Sequence, residues 1–233
     1  MEQLVQALQG FGFLTLLVLG AGLMHLLISG LDGRAASRPA GAYLPLEELV
    51  SMIDGMNGRA CARILADNRK LFETAQGSTN NHQNWPGGYV DHVTDGMNVA
   101  VVLYEALSSR RPLPFSLSDA LLVFFLHDVE KPWKYVLGED GRLQHRPGFK
   151  TKEEAHAFRA AKLREYGIVL SAEQSNGLRY VEGELDDYSH RRRVMGPLAA
   201  FCHLCDVTSA RIWFDRPNAE CDPWPGATRR RAS

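Results

Sequence analysis

The chain has 233 residues, 45% of them hydrophobic and 23% charged, which excludes a disordered, collagen-like or disulfide-dense class. Lys plus Arg number 26 against 27 Asp plus Glu, a formal net charge of −1; a general nucleic-acid coat needs a basic surface, so that class is excluded too. The charge is unevenly placed, because residues 3–31 contain no Lys, Arg, Asp or Glu.

Within that stretch, Phe11 to Ser29 is apolar except for Thr15, His25, Ser29 and glycines. As a helix it would be about 28 Å long, close to the ~30 Å hydrocarbon core of a bilayer. Apolar residues fall on all its sides. Residues 8–30 are therefore expected to cross a lipid bilayer as one transmembrane helix, with residues 1–31 as the anchor. A cleaved signal peptide ending near Ala40-Gly41-Ala42, a buried soluble helix, and a start placed too far upstream are competing readings. Arg34 and Arg38 follow the run and no basic residue precedes it. The positive-inside rule then makes this a single-pass membrane protein whose soluble domain faces the cytoplasm. His25 is given no role.

Residues 32–45 hold Gly, Ala, Ser and Pro and read as a linker. From there to residue 215 the spacing predicts one mainly α-helical domain. Leu46, Leu49, Val50 and Ile53 share a face of a short helix, and Ala60, Ile64, Leu65 and Leu71 share a face of a longer one. A turn-rich loop spans 77–88. Val93, Met97, Ala100, Val101 and Tyr104 keep three-four spacing, until Pro112 and Pro114 break it. Ser116 and Asp119 fit a capping box. Residues 120–126 are apolar on every side and should be fully buried. Residues 136–150 suit a loop or small hairpin, and helices follow over 152–166 and from Ser171. A last long helix starts at Pro197 and runs to about Phe214. The tail, 216–233, reads as disordered.

Three segments carry chemistry. They are Gly87-Gly-Tyr-Val-Asp-His92, Leu126-His-Asp-Val-Glu-Lys-Pro132, and His203-Leu-Cys-Asp-Val-Thr-Ser-Ala-Arg211. A His-Asp pair follows directly on seven apolar residues, and a carboxylate there is costly unless it is paired or bound to a cation. A divalent metal takes Asp oxygens and neutral imidazole nitrogens together.

The ordered set His, His-Asp, Asp, with the His82…Gly87-Gly88…His92 lead-in and Lys131, resembles the HD-domain metal-dependent phosphohydrolases over roughly residues 78–212. The resemblance implies an HD-like all-α bundle. It implies one divalent ion (Mn, Mg, Co, Fe or Zn) on His92, His127, Asp128 and Asp206. It also implies hydrolysis of a small phosphorylated, nucleotide-like substrate by a metal-activated water. Lys131, one turn beyond the pair, is then a phosphate-holding charge or else a solvent-facing lysine. Glu130 is a candidate general base, as HD nucleotidases use a carboxylate at a slightly different offset. The His-His pair of two-metal members is missing between Asp128 and Asp206, which favours one metal. Glu182, Glu184, Asp186 and Asp187 are a second-ion candidate or a solvated face.

His82 and Trp85, in the polar loop, are candidate substrate contacts, with Trp85 stacking on a base or covering the core. Arg191, within His190-Arg-Arg-Arg193, is a candidate attractor of anions or a plain exposed loop residue. Cys202 and Cys205 form a C-x-x-C, best read as packed helix cysteines. His203 shares a face with Asp206 and supports the site or packs in the core. Two alternatives to an enzyme acting on small esters remain: a non-catalytic HD-fold sensing or partner-binding module, and a single-strand nucleic-acid phosphodiesterase.

Overall fold

The structure is a computed structural model that describes residues 41–79, 81–137, 143–216, 222 and 224. The predicted anchor, 1–31, and most of the predicted linker and tail lie outside the described residues.

The longest described helix, α4 below, has 21 residues but carries Asp91, Asp95 and Glu105. Among the described residues no helix is long and apolar enough to cross a membrane. The single-pass membrane location expected above is corrected on that finding, and neither a membrane setting nor the bilayer as a partner has support.

The described chain from Tyr43 onward is mostly helical. Helix α1 (Leu46–Ser51) follows the extended Pro45 and buries Leu46, Leu49 and Val50. Helix α2 (Gly55–Asp67) buries Ala60, Cys61, Ile64 and Leu65, and α3 (Arg69–Thr74) buries Phe72. Helix α4 (Gly88–Ser108) starts after Gly87, whose left-handed φ of 81° suits glycine.

Helix α5 (Leu117–His127) opens with the predicted capping box, in which the Ser116 hydroxyl and the Asp119 carboxylate each accept from the other's backbone N–H. Every side chain from Ala120 to His127 is buried. Burying a large apolar side chain contributes roughly 1.5–3 kcal/mol, so this helix is the centre of the core. It sits close against α4 because Gly96 presents no side chain. A Cβ built there would lie 2.9 Å from Phe124 Cε2 and nearer still to Cζ and Cε1.

A short helix, α6 (Lys131–Lys134), leads into an antiparallel hairpin of β1 (Tyr135–Leu137) and β2 (Leu143–His145). Helices α7 (Lys152–Glu165) and α8 (Ala172–Tyr180) each open on a capping box, Thr151 with Glu154 and Ser171 with Gln174. Helix α9 (Pro197–Val207) starts at its proline as expected, but does not run on as α-helix to Phe214. It widens into one turn of π-helix, Thr208–Ile212. Such turns admit an extra residue and re-aim the side chains around them.

Candidate metal centre

Three elements deliver the central cluster. His92 comes from the first turns of α4, His127 is the last residue of α5, and Asp128 caps that helix in a non-helical conformation (φ −120°, ψ 15°). Asp206 comes from the end of α9. His92, His127 and Asp128 are buried and present ligand atoms to one another as a group able to hold a metal ion. Asp206 Oδ1 lies 3.3 Å from His92 Nε2 and 3.6 Å from His127 Nε2. Asp128 Oδ2 lies 3.4 Å from His92 Nε2 and 3.1 Å from His127 Nε2.

The hydrogen bonds on the far side of each ring fix the histidine tautomers. His127 Nδ1 is 2.6 Å from the Phe124 carbonyl oxygen, which only accepts, so Nδ1 carries the proton. His92 Nδ1 is 3.0 Å from Ser209 Oγ, whose own hydroxyl donates to the His92 carbonyl oxygen at 3.4 Å. His92 Nδ1 is therefore also a donor. In the neutral, ligating form each ring keeps a lone pair on Nε2, and the two Nε2 atoms face one another at 3.2 Å. Two lone pairs and two carboxylates at that spacing repel unless a cation lies among them. Donor atoms about 3.0–3.4 Å apart are what metal–ligand bonds of about 2.0–2.2 Å produce around one ion. Oriented imidazoles with Nδ1–H on a carbonyl or hydroxyl are also the usual support of metal-binding histidines. The residues present thus fit a divalent cation.

Without a cation there, the carboxylates draw a proton instead: burial would lower the His127 imidazole, but Asp128 and Asp206 overcome it and push it up to about 10. Burial would raise the Asp128 carboxyl, but His127 and Lys131 hold it well below the usual carboxylate range. The cluster draws positive charge.

A cavity of about 350 Å³ opens on this cluster, and His127, Asp128 and Asp206 line it. Lys131 lines it too, with its ammonium ion-paired to Asp128. His82 lines it and stacks on His92 with ring centroids 4.9 Å apart. Burial and the charge of Lys131 push His82 down to about 4, so it is neutral near pH 7.

Three other sequence candidates sit elsewhere. Glu130 does not line the cavity. Its carboxylate is buried 3.7 Å from Arg159 Nη1, and the Arg159 guanidinium donates to the His127 carbonyl oxygen. Burial pushes Glu130 up to about 7, against the pull of Arg159. Trp85 donates its indole N–H to Asp91 Oδ2 at 2.7 Å and is absent from the cavity wall. Arg191 is exposed in the loop bridged by Ser189 and Arg192.

Cys202 and Cys205 are buried, and their thiols are pushed up by that burial, Cys205 to about 12. They pack as protonated thiols, which are poor metal ligands.

Sequence reasoning missed Ser209 and Gln83. Gln83 is buried with a left-handed φ of 40°. Its side-chain N–H donates to the Ser209 carbonyl oxygen at 3.0 Å, and its Oε1 accepts from His82 Nδ1 at 2.7 Å. Its backbone N–H donates to the Phe214 carbonyl oxygen at 2.7 Å. Gly88 makes room for this residue, since a Cβ there would lie 3.1 Å from Gln83 Cβ and closer to its carbonyl. Ser209 stands in the segment that carries Asp206. Gln83 gave no signal, because its role depends on a backbone conformation that non-glycine residues rarely adopt.

No family model matches the chain, and no solved structure matches it. Over 89 residues it is 26% identical to dihydroneopterin 2',3'-cyclic phosphate phosphodiesterase of Methanocaldococcus jannaschii. The match covers 38% of this chain and 36% of that protein, so the chain spans about a third of its relative's length. The chain is thus a distant homologue of a phosphodiesterase, and that likeness supports a phosphoester hydrolase as the broad class.

Proposed function

We propose that the chain is an HD-type metal-dependent phosphohydrolase that cleaves a small phosphorylated substrate. In this reading His92, His127, Asp128 and Asp206 hold one divalent ion. The observation that carries it is the two imidazole Nε2 atoms facing each other at 3.2 Å between two carboxylates. A divalent ion held there supplies a lowered pKa to water and offsets the charge that grows on phosphoryl oxygens.

The chain's own residues do the rest. Ser209 and the Phe124 carbonyl hold the two imidazoles in the ligating tautomer. Lys131 sets a positive charge beside Asp128 for a phosphate oxygen. Lys152 and Arg211 on the same wall draw an anion in. Among the described residues lining the cavity there is no Trp, Tyr or Phe. The wall therefore favours recognition of the phosphate over stacking on a base.

The test is metal analysis of the full chain purified after manganese supplementation, followed by assay with bis(4-nitrophenyl) phosphate and adenosine 2',3'-cyclic phosphate. About one ion per chain, lost in Asp128→Ala, and turnover of at least one ester are expected. A folded, metal-free protein would sink the ligand assignment, and bound metal without turnover would make the chain a binding module.

A further inference from the structure

Hydrolysis of an alkyl phosphate ester needs more than an activated water. The departing oxygen leaves as a strongly basic alkoxide unless something protonates it, and a positioned acid is worth about 10²–10⁴-fold in rate. The described cavity wall shows which group can do this. Outside the four proposed ligands, its protonatable side chains are His82, Lys131, Lys152, Glu182, His203 and Arg211.

Five of these are committed. His82 stacks on His92 and belongs to the cation's own surroundings. Lys131 is ion-paired with Asp128. Lys152 and Glu182 pair at 3.2 Å with side chains 62% and 46% exposed, so they exchange protons with solvent and serve at the entrance. The guanidinium of Arg211 does not release its proton near neutral pH. His203 is left.

Its geometry suits the task. His203 stands one turn before Asp206 on α9, on the same face. Its Nδ1 lies 2.7 Å from the Val181 carbonyl oxygen and must donate to it. That bond fixes the ring and leaves Nε2 as the nitrogen available for proton transfer. Gly183 stands beside that edge with a φ of 105°, a conformation that favours glycine. A Cβ there would lie 3.6 Å from His203 Cε1 and 3.9 Å from Nε2, so a side chain at this position would touch the edge of the ring that carries Nε2.

We propose that His203 is the general acid of the site, delivering a proton from Nε2 to the leaving oxygen. The proposal rests on the phosphohydrolase reading above. In the step, the water oxygen forms a new P–O bond and the water gives up one proton to solvent. The P–O bond to the leaving group breaks, its electron pair goes to the leaving oxygen, and that oxygen takes the Nε2 proton of the His203 imidazolium, which is left as the neutral Nδ1–H tautomer. The imidazole is reprotonated from solvent.

The test uses the two leaving groups. His203→Asn keeps an N–H donor for the Val181 carbonyl and removes the transferring nitrogen; His203→Gln serves if the first variant melts early. A 4-nitrophenolate departs without help, whereas the ribose alkoxide of adenosine 2',3'-cyclic phosphate does not. The variant is expected to lose about 100-fold or more in kcat on the cyclic ester and to stay within about threefold on bis(4-nitrophenyl) phosphate. Its metal content is expected to stay unchanged. Equal losses on both esters, no loss on either, or loss of the metal would overturn the role. A wild-type chain that turns over neither ester would fail at the hydrolase reading itself, and the proposal would fall with it.

Discussion

Gly96→Ala tests whether the approach of α4 to α5 builds the site. The added Cβ would sit 2.9 Å from Phe124 Cε2 and closer to two further ring atoms, where carbon atoms prefer about 3.5–4.0 Å. Phe124 is fully buried, and its ring lies 4.6 Å from the His127 ring and 6.0 Å from the His92 ring, centroid to centroid. It has nowhere empty to go. Overpacking costs about 1–3 kcal/mol, and contacts this short against a buried ring put this case in the upper part of that range, about 2–3 kcal/mol. The replacement also removes a helical glycine, which alone would stabilise by about 1 kcal/mol. A net loss of about 1–2 kcal/mol is expected, or a drop of about 2–8 °C in Tm for a domain of this size. Thermal unfolding read by circular dichroism checks it. Phe124→Leu in the same chain should offset part of the loss, so the double variant should be less destabilised than the two singles summed. An unchanged or raised Tm for Gly96→Ala would refute the close-packing argument, because propensity alone predicts a rise.

Two further substitutions probe the supports. Ser209→Ala leaves the buried His92 Nδ1–H without its acceptor, and a chelator competition should show metal affinity down about 10–100-fold; unchanged affinity would mean that Ser209 does not orient His92. Burial would raise the Asp119 carboxyl, but its bonds to Ser116 and Gln174 overcome this and hold it below the ordinary carboxylate value. A depressed folded pKa stabilises fully above the unfolded value of about 3.9 and is lost as pH falls through the folded one. The stability gap between wild type and Asp119→Ala in urea should therefore narrow between pH 6 and pH 3, and a gap that widened would reverse the sign.

Local features were legible in the sequence because local rules decide them. The Ser116 capping box, the all-round apolar 120–126 helix, the hairpin within 136–150 and the Pro197 helix start appear where spacing and turn chemistry put them. The order His92, His127-Asp128, Asp206 also marked residues that the fold brings together. What spacing did not carry was direction. Asp128 and Lys131 turn toward the cavity while Glu130, between them, turns to Arg159, because the chain leaves helical geometry at Asp128. Trp85 and Arg191 were chosen by residue type and proximity in sequence, but Asp91 holds the one and solvent the other. Ser209 depends on the π-turn and Gln83 on a left-handed backbone, and no periodicity announces either. The apolar run that suggests a membrane span lies outside the described residues, and no described helix is both long and apolar enough to cross one.

The cavity has one stiff side and one soft side. Gln83 knots the loop before α4 to the segment after α9 through bonds to Ser209 and Phe214, so that side acts as a frame. Facing the same space, Lys152 and Glu182 meet at 3.2 Å with side chains 62% and 46% exposed. An exposed pair of this kind contributes only about 0–1 kcal/mol, so thermal motion parts it freely. On the proposed reading, an arriving phosphate can take the place of the Glu182 carboxylate on Lys152 without breaking anything buried. Entry is then an exchange of anions at a salt-sensitive threshold, and the buried histidine–carboxylate cluster behind it is left undisturbed.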